Sequence, residues 1–271
     1  MKATSLERFI ENALRGVFSP SIPFRLLWRK FKVGSFQIRC KFDAVNRPYY
    51  AFGAFHAAKL AKALGLKSMS VVEFGVARGE GLLNLEELAG EISETVGIEI
   101  EVYGFDSTGG LPPPQGYRDL PYIWKQGDFL MDHDRLRKEL RKATLVIGDV
   151  KDTVATFFET YRPAPIGFIA FDLDFYSSTK DALKIFLARD KYILPRVLCY
   201  FDDIIDEQAT QLFNEFTGEL LAIKEFNDGV SDKKLCKVNG LSQKRYFKSS
   251  WAEAIYAMHA FKHNLYNKYI L

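Results

Sequence analysis

In Val71-Val72-Glu73-Phe74-Gly75-Val76-Ala77-Arg78-Gly79-Glu80-Gly81 an apolar run meets three glycines, and a helix-like pattern follows. A strand that turns sharply into a helix needs glycine where the backbone bends or comes close to a ligand. The helix start then offers free N–H groups to a polar or anionic group. The stretch reads as the first strand–loop–helix of a nucleotide-type cofactor site.

The chain on both sides of it alternates. Strands are expected at 68–74, 98–105, 143–147, 166–171 and 197–201, with helices at 79–93, 132–142, 151–161, 177–189 and 207–217. The run at 166–171 is continuously apolar, as a buried parallel strand should be. Weaker strands are expected at 220–226 and 234–238, with a little more at 245–247, before a closing helix at 251–269. Residues 107–131 form a long loop containing Gly109-Gly110-Leu111-Pro112-Pro113-Pro114-Gln115-Gly116. Ahead of all this, Leu6, Phe9, Ile10, Ala13 and Leu14 have helical spacing. A breaker follows at 19–23, then a short helix at 24–31. A longer helix spans 49–66, with Gly65 as its C-cap. Alternation of this kind predicts an α/β fold with a mostly parallel sheet and helices on both faces. Residues 1–66 are expected to form an N-terminal helical cap, and residues 67–271 the catalytic domain.

With 271 residues, 48% hydrophobic and 26% charged, the chain has ample material for a core. A net charge of +3 does not imply a nucleic-acid partner. The charge is uneven, however. Up to Lys41 there are nine cations (Lys2, Arg8, Arg15, Arg25, Arg29, Lys30, Lys32, Arg39, Lys41) against Glu7 and Glu11. Either a solvated helical face or attraction to an acidic surface accounts for that. Cys40, Cys199 and Cys236 are odd in number and far apart, which suits a reducing cytoplasm rather than a disulfide framework. No apolar run approaches the roughly 20 residues that span a bilayer. A homo-oligomer is compatible with the sequence.

In open α/β sheets, ligands sit at the carboxyl ends of the strands. Each of the five main strands ends in acid: Glu73, Asp106, Asp149, the pair Asp172 and Asp174, and the pair Asp202 and Asp203. Taken singly, each acid reads equally well as a helix N-cap; five together point to a site. Asp106 suits a ribose diol, and Asp149 an adenine amino group. The spacing Gly75-x-x-x-Gly79-x-Gly81 departs from the dinucleotide pattern G-x-G-x-x-G. S-adenosylmethionine has no pyrophosphate and tolerates such a loop, and its cationic groups suit nearby carboxylates. Asp172, Asp202 and Asp203 offer hard oxygen ligands to Mg²⁺ or Ca²⁺. Asp174 then stands as a general base.

The motifs VEFGVARGEG, YGFDSTGGLP, GFIAFDLDFYSSTKDAL and YFDD together resemble the macrocin/mycinamicin type of sugar O-methyltransferase, a class I S-adenosylmethionine-dependent family with a Rossmann-like fold. The resemblance covers residues 68–203. It implies Asp172, Asp202 and Asp203 as Mg²⁺ ligands and Asp174 as the base. It implies Glu73, Gly75, Asp106 and Ser107 as cofactor contacts, with Gly79 in the same loop and Asp172 serving both groups. The chain departs from the family pattern at Thr108, Leu173, Arg196 and Ile204, which leaves the acids intact but not the sugar-binding details.

The expected activity is therefore Mg-dependent transfer of a methyl group to a hydroxyl of a sugar or small natural product. A metal-independent methyltransferase and a non-catalytic S-adenosylmethionine-binding protein remain alternatives, and a NAD-dependent oxidoreductase is disfavoured by the glycine spacing. His56, His133, His259 and His263 are expected on helix faces or at the surface, not as ligands.

Overall fold

The computed structural model describes residues 22–107, 109–205, 210–247 and 249–270. The expected helix at 6–14 lies outside them. Helix α1 covers Ile22–Phe31, with Pro23 in its first turn, where a missing N–H costs nothing. A short α2 (Phe36–Lys41), outside the expected helices, is capped by Ser35. Helix α3 (Pro48–Ala63) ends as expected around Gly65. The N–H of Gly65 bonds Lys62 O and that of Leu66 bonds Ala61 O, the paired closure of a Schellman motif.

The sheet runs β3-β2-β1-β4-β5-β7-β6. Its strands are β1 Ser68–Phe74, β2 Glu99–Asp106, β3 Thr144–Ile147, β4 Ile166–Phe171, β5 Ile193–Phe201, β6 Lys233–Lys237 and β7 Ile255–Ala260. The first five pair in parallel, while β7 is antiparallel to both β5 and β6. Between the parallel strands run α4 (Glu80–Val96), α5 (His133–Glu139), α6 (Val150–Thr160) and α7 (Tyr176–Ala182). The chain works from β1 out to β3, then crosses back to place β4 beside β1. That reversal opens the crevice where ligands bind in such sheets. Helix α3 presses on the sheet so closely that a Cβ at Gly53 would lie 2.2 Å from the Phe168 ring.

Register lines up the carboxyl ends. Phe105, Phe74, Phe171 and Phe201 are successive cross-strand partners, with ring centroids 4.6, 5.4 and 4.6 Å apart. This buried row forms a continuous aromatic layer, each ring adding to the burial of its neighbours. Just past it, each chain turns onto its neighbour. Gly75 N–H bonds Phe105 O, Asp172 N–H bonds Phe74 O, Asp202 N–H bonds Phe171 O, and Gly148 N–H bonds Asp106 O.

The C-terminal third differs from expectation. Residues 220–226 are helical, within α8 (Gly218–Gly229), not a strand. Glu219, Ala222 and Ile223 are buried and Phe226 half-buried, an i, i+3, i+4, i+7 face that the short run Leu220–Ile223 disguised. Of the helix expected at 207–217, residues 207–209 lie outside the described residues, and 210–217 are irregular. The closing helix at 251–269 is absent: a 3-10 turn (Ser250–Ala254) leads into β7. There Ile255, Ala257, Met258 and Ala260 are buried within the sheet, and pairing on both edges overrides the helical preference of the alanines. Residues 245–247 form a bend rather than a strand.

Candidate functional site

The glycine loop brings strands β1 and β4 into contact. Gly75 has φ +83°, and a Cβ there would lie 1.7 Å from the carbonyl oxygen of Asp172. Gly81 gives the start of α4 the room to pass over Glu73, whose Oε1 would lie 1.9 Å from a Cβ. Gly79 is the left-handed N-cap of α4 and faces Leu136. Glu73 is 1% exposed. Its Oε1 accepts from Tyr50 Oη at 2.7 Å, and its Oε2 has no partner. Burial lifts its pKa to about 8, against the opposing pull of the Tyr50 hydrogen bond and Arg47.

Asp106 organises the loop. Its Oδ2 accepts from the N–H groups of Val76 and Ala77, both at 2.7 Å. Burial raises it to about 6, although these backbone donors pull the other way. Ser107 donates to Gly110 O at 2.9 Å. Asp149 caps α6, accepting from Lys151 N–H at 2.8 Å, so the helix-cap reading of this acid holds at its Oδ1.

At the ends of β4 and β5 the acids crowd. Asp174 is 7% exposed with φ +59°, a left-handed conformation that aspartate tolerates better than most side chains. Its N–H bonds Asp203 Oδ2 at 3.0 Å. Asp203 N–H in turn bonds Glu219 Oε2 at 3.1 Å, and Glu219 is fully buried with Oε1 unpartnered. Tyr200 Oη donates to Asp202 Oδ1 at 2.5 Å. Burial, then repulsion among themselves and from Asp202, pushes Asp172, Asp174, Asp203 and Glu219 well above the usual carboxylate range. Such a set favours positive charge among it.

A cavity of about 720 Å³ joins the two halves, a volume that suits a cofactor-sized ligand. Of the expected site residues, Gly75, Asp106, Ser107, Asp149, Asp172, Asp174, Asp202 and Asp203 line it, floored by Phe74 and Phe105. Glu73 and Gly79 are not among its lining residues. Arg47, Tyr49 and Tyr200 also line it, the two tyrosine rings stacked at 4.2 Å. The sequence reading missed Arg47, Tyr50 and Glu219. Burial opposes the charge on Arg47, but Tyr50, Tyr49, Glu73 and Asp172 outweigh it and push its pKa up. Among the described residues, no three His, Cys, Asp or Glu side chains are arranged to hold a metal ion. As donors, carboxylates are the type that suits a hard divalent cation, and Glu219 Oε1 beside Asp203 is unpartnered.

The histidines stay out of the site. His263 Nε2 lies 3.1 Å from Asp190 O and 3.2 Å from Ile193 O, and its Nδ1 accepts from Leu265 N–H. His259 lies on β7, not on a helix, with Nδ1 2.9 Å from Tyr266 Oη.

No protein-family model matches the chain, and no curated protein matches it by sequence. Solved structures do. One, described as CalS11, a calicheamicin methyltransferase, superposes with a TM-score of 0.52 over 96% of this chain and 94% of its own, at 20% identity. The O-methyltransferase NovP superposes with a TM-score of 0.50 over 78% of this chain and 79% of its own, at 14% identity. The fold is that of a class I methyltransferase. No helix among the described residues is long and apolar enough to cross a membrane.

Proposed function

We propose that the chain is an S-adenosylmethionine-dependent O-methyltransferase that acts on a hydroxyl of a sugar or small natural product. The observation that carries this reading is that one cavity joins the glycine loop to the acids at the ends of β4 and β5. The fold shared with CalS11 and NovP supports it. In this reading residues 67–271 form the catalytic domain and, of the cap expected at 1–66, the described part is 22–66, in a protein of the cytoplasm whose described cysteines are free thiols.

In this mechanism Gly75 and Ser107 shape the donor pocket, and Asp106 and Asp149 face its nucleoside part. Glu73 fixes the cap helix to the loop through Tyr50. Asp172, Asp202 and Asp203 would hold Mg²⁺, which when bound lowers the pKa of an acceptor hydroxyl and orients it. Asp174, tied through its backbone to Asp203, takes the proton from that hydroxyl oxygen. Residues 107–131 close over the cavity and exclude water, with Trp124 and Phe129 on its wall. A metal-independent methyltransferase is the second reading, favoured by the absence of a three-ligand cluster among the described residues.

Methyl transfer from labelled S-adenosylmethionine to a panel of glycosylated acceptors tests the reading. Asp174→Asn should lower turnover by about 100-fold or more while cofactor binding persists. Full activity in that variant removes the base assignment, and activity indifferent to EDTA removes the metal.

A further inference from the structure

The cavity wall carries six aspartates (Asp106, Asp149, Asp172, Asp174, Asp202 and Asp203) and, among the described residues, one cationic side chain, Arg47. Arg47 precedes α3 in a left-handed conformation, φ +41° and ψ +68°, which costs a branched or long side chain free energy. Strain of this kind persists where the surroundings hold it, and it concentrates at ligand sites. The guanidinium reaches Tyr49 Oη at 3.1 Å and lies 5.4 Å from the centroid of the Tyr50 ring. Tyr50 in turn holds Glu73 beneath the glycine loop. Among the described residues Arg47 forms no ion pair, although the carboxylates of Glu73 and Asp172 are near enough to act on its charge.

The methyl donor carries three charges: a sulfonium, an ammonium and a carboxylate. Aspartates suit the first two. The carboxylate is repelled by every other charged group on the wall and needs a cation. A planar guanidinium matches a carboxylate with two parallel donors. We infer that Arg47, contributed by the N-terminal cap, is the receptor for the carboxylate at the amino-acid end of the methyl donor. This orients the donor, with its amino-acid end toward α3 and its nucleoside toward Asp106 and Asp149. The inference rests on the function proposed above.

Calorimetry on the whole chain tests it with two ligands. S-adenosylhomocysteine keeps the amino-acid end; 5′-methylthioadenosine keeps the nucleoside and thioether and lacks that end. Arg47→Gln should weaken S-adenosylhomocysteine by about 10–100-fold, the worth of a charge-assisted bond. The same variant should bind 5′-methylthioadenosine like the wild type, which also shows that it folds. Arg47→Lys should fall between, keeping the charge without the fork. Equal losses for both ligands would make Arg47 a support of the fold and overturn the inference. So would an unchanged affinity for S-adenosylhomocysteine, as expected if Arg47 serves an anionic acceptor. A wild-type chain that binds neither ligand overturns the proposed function itself, and the inference with it.

Discussion

Gly75 shows how little room the site allows. Its backbone is left-handed and its missing Cβ is occupied by the carbonyl of Asp172. Gly75→Ala therefore adds backbone strain and forces β1 and β4 apart at the crevice. The expected loss is at least about 3 kcal/mol, read as a lowered urea midpoint, together with weakened donor binding. Wild-type stability would show that the close approach is not there. The acids Asp106, Asp149, Asp172, Asp174, Asp202 and Asp203 were legible in the sequence because strand ends can be read from apolar runs, and a ligand crevice lies at those ends. Arg47 was not legible. Its place in the site depends on a left-handed turn before Pro48, and nothing in Asn46-Arg47-Pro48 announces that. Glu219 was hidden because the run behind it has the length of a strand.

The loop 107–131 is tied down at two places. Its arms meet where Leu111 N–H bonds Asp128 O and Gly127 N–H bonds Leu111 O, both at 2.9 Å. Asp119, 1% exposed, anchors the middle. It accepts from Gln115 N–H at 2.7 Å, from Ser177 N–H at 2.8 Å and from Ser177 Oγ at 3.0 Å, so it caps α7 directly after Asp174. Asp119→Ala removes charge-assisted bonds worth about 1.5–3 kcal/mol each. The loop should then be cut faster in limited proteolysis while the rest of the chain resists. Unchanged cleavage would show that the anchor is dispensable. The first five strands matched their expected places within a few residues, because each is an apolar run bounded by turn residues. The strand expected at 234–238 is also present, as β6, whereas two other C-terminal segments differed for a shared reason. Alanine-rich 251–260 and the run at 220–226 take their form from what they pack against, and that partner is far away in sequence.

The whole molecule gathers buried acid. Burial lifts Glu73 from 4.5 to about 8 and Asp106 from 3.8 to about 6. Asp172, Asp174, Asp203 and Glu219 move in the same direction. For Glu73, the folded chain between pH 4.5 and 8 keeps a proton that the unfolded chain has released. Its contribution is full below 4.5 and is lost as pH rises through 8. The ligand-free protein should therefore be more stable at pH 5.5 than at pH 8.5, by up to a few kcal/mol in urea denaturation. Glu73→Gln should flatten part of that slope. A wild-type profile that rises toward pH 8.5 would mean these carboxylates ionise in the folded chain without cost.

Strand β7 carries a consequence for the order of synthesis. It pairs with β5 on one side and β6 on the other, yet it is made after both. While the nascent chain emerges, β6 has been translated but has nothing to pair with. The flank of β5, which leads into Asp202 and Asp203, is an open edge during that interval, a template for wrong partners. Asn227 eases the wait. Its side chain bonds both the N–H and the carbonyl of Leu235 at 2.8 Å, acting on β6 as a strand neighbour would. Helix α8 can thus hold β6 in reserve until residue 260 has arrived and the sheet closes beside Asp202 and Asp203.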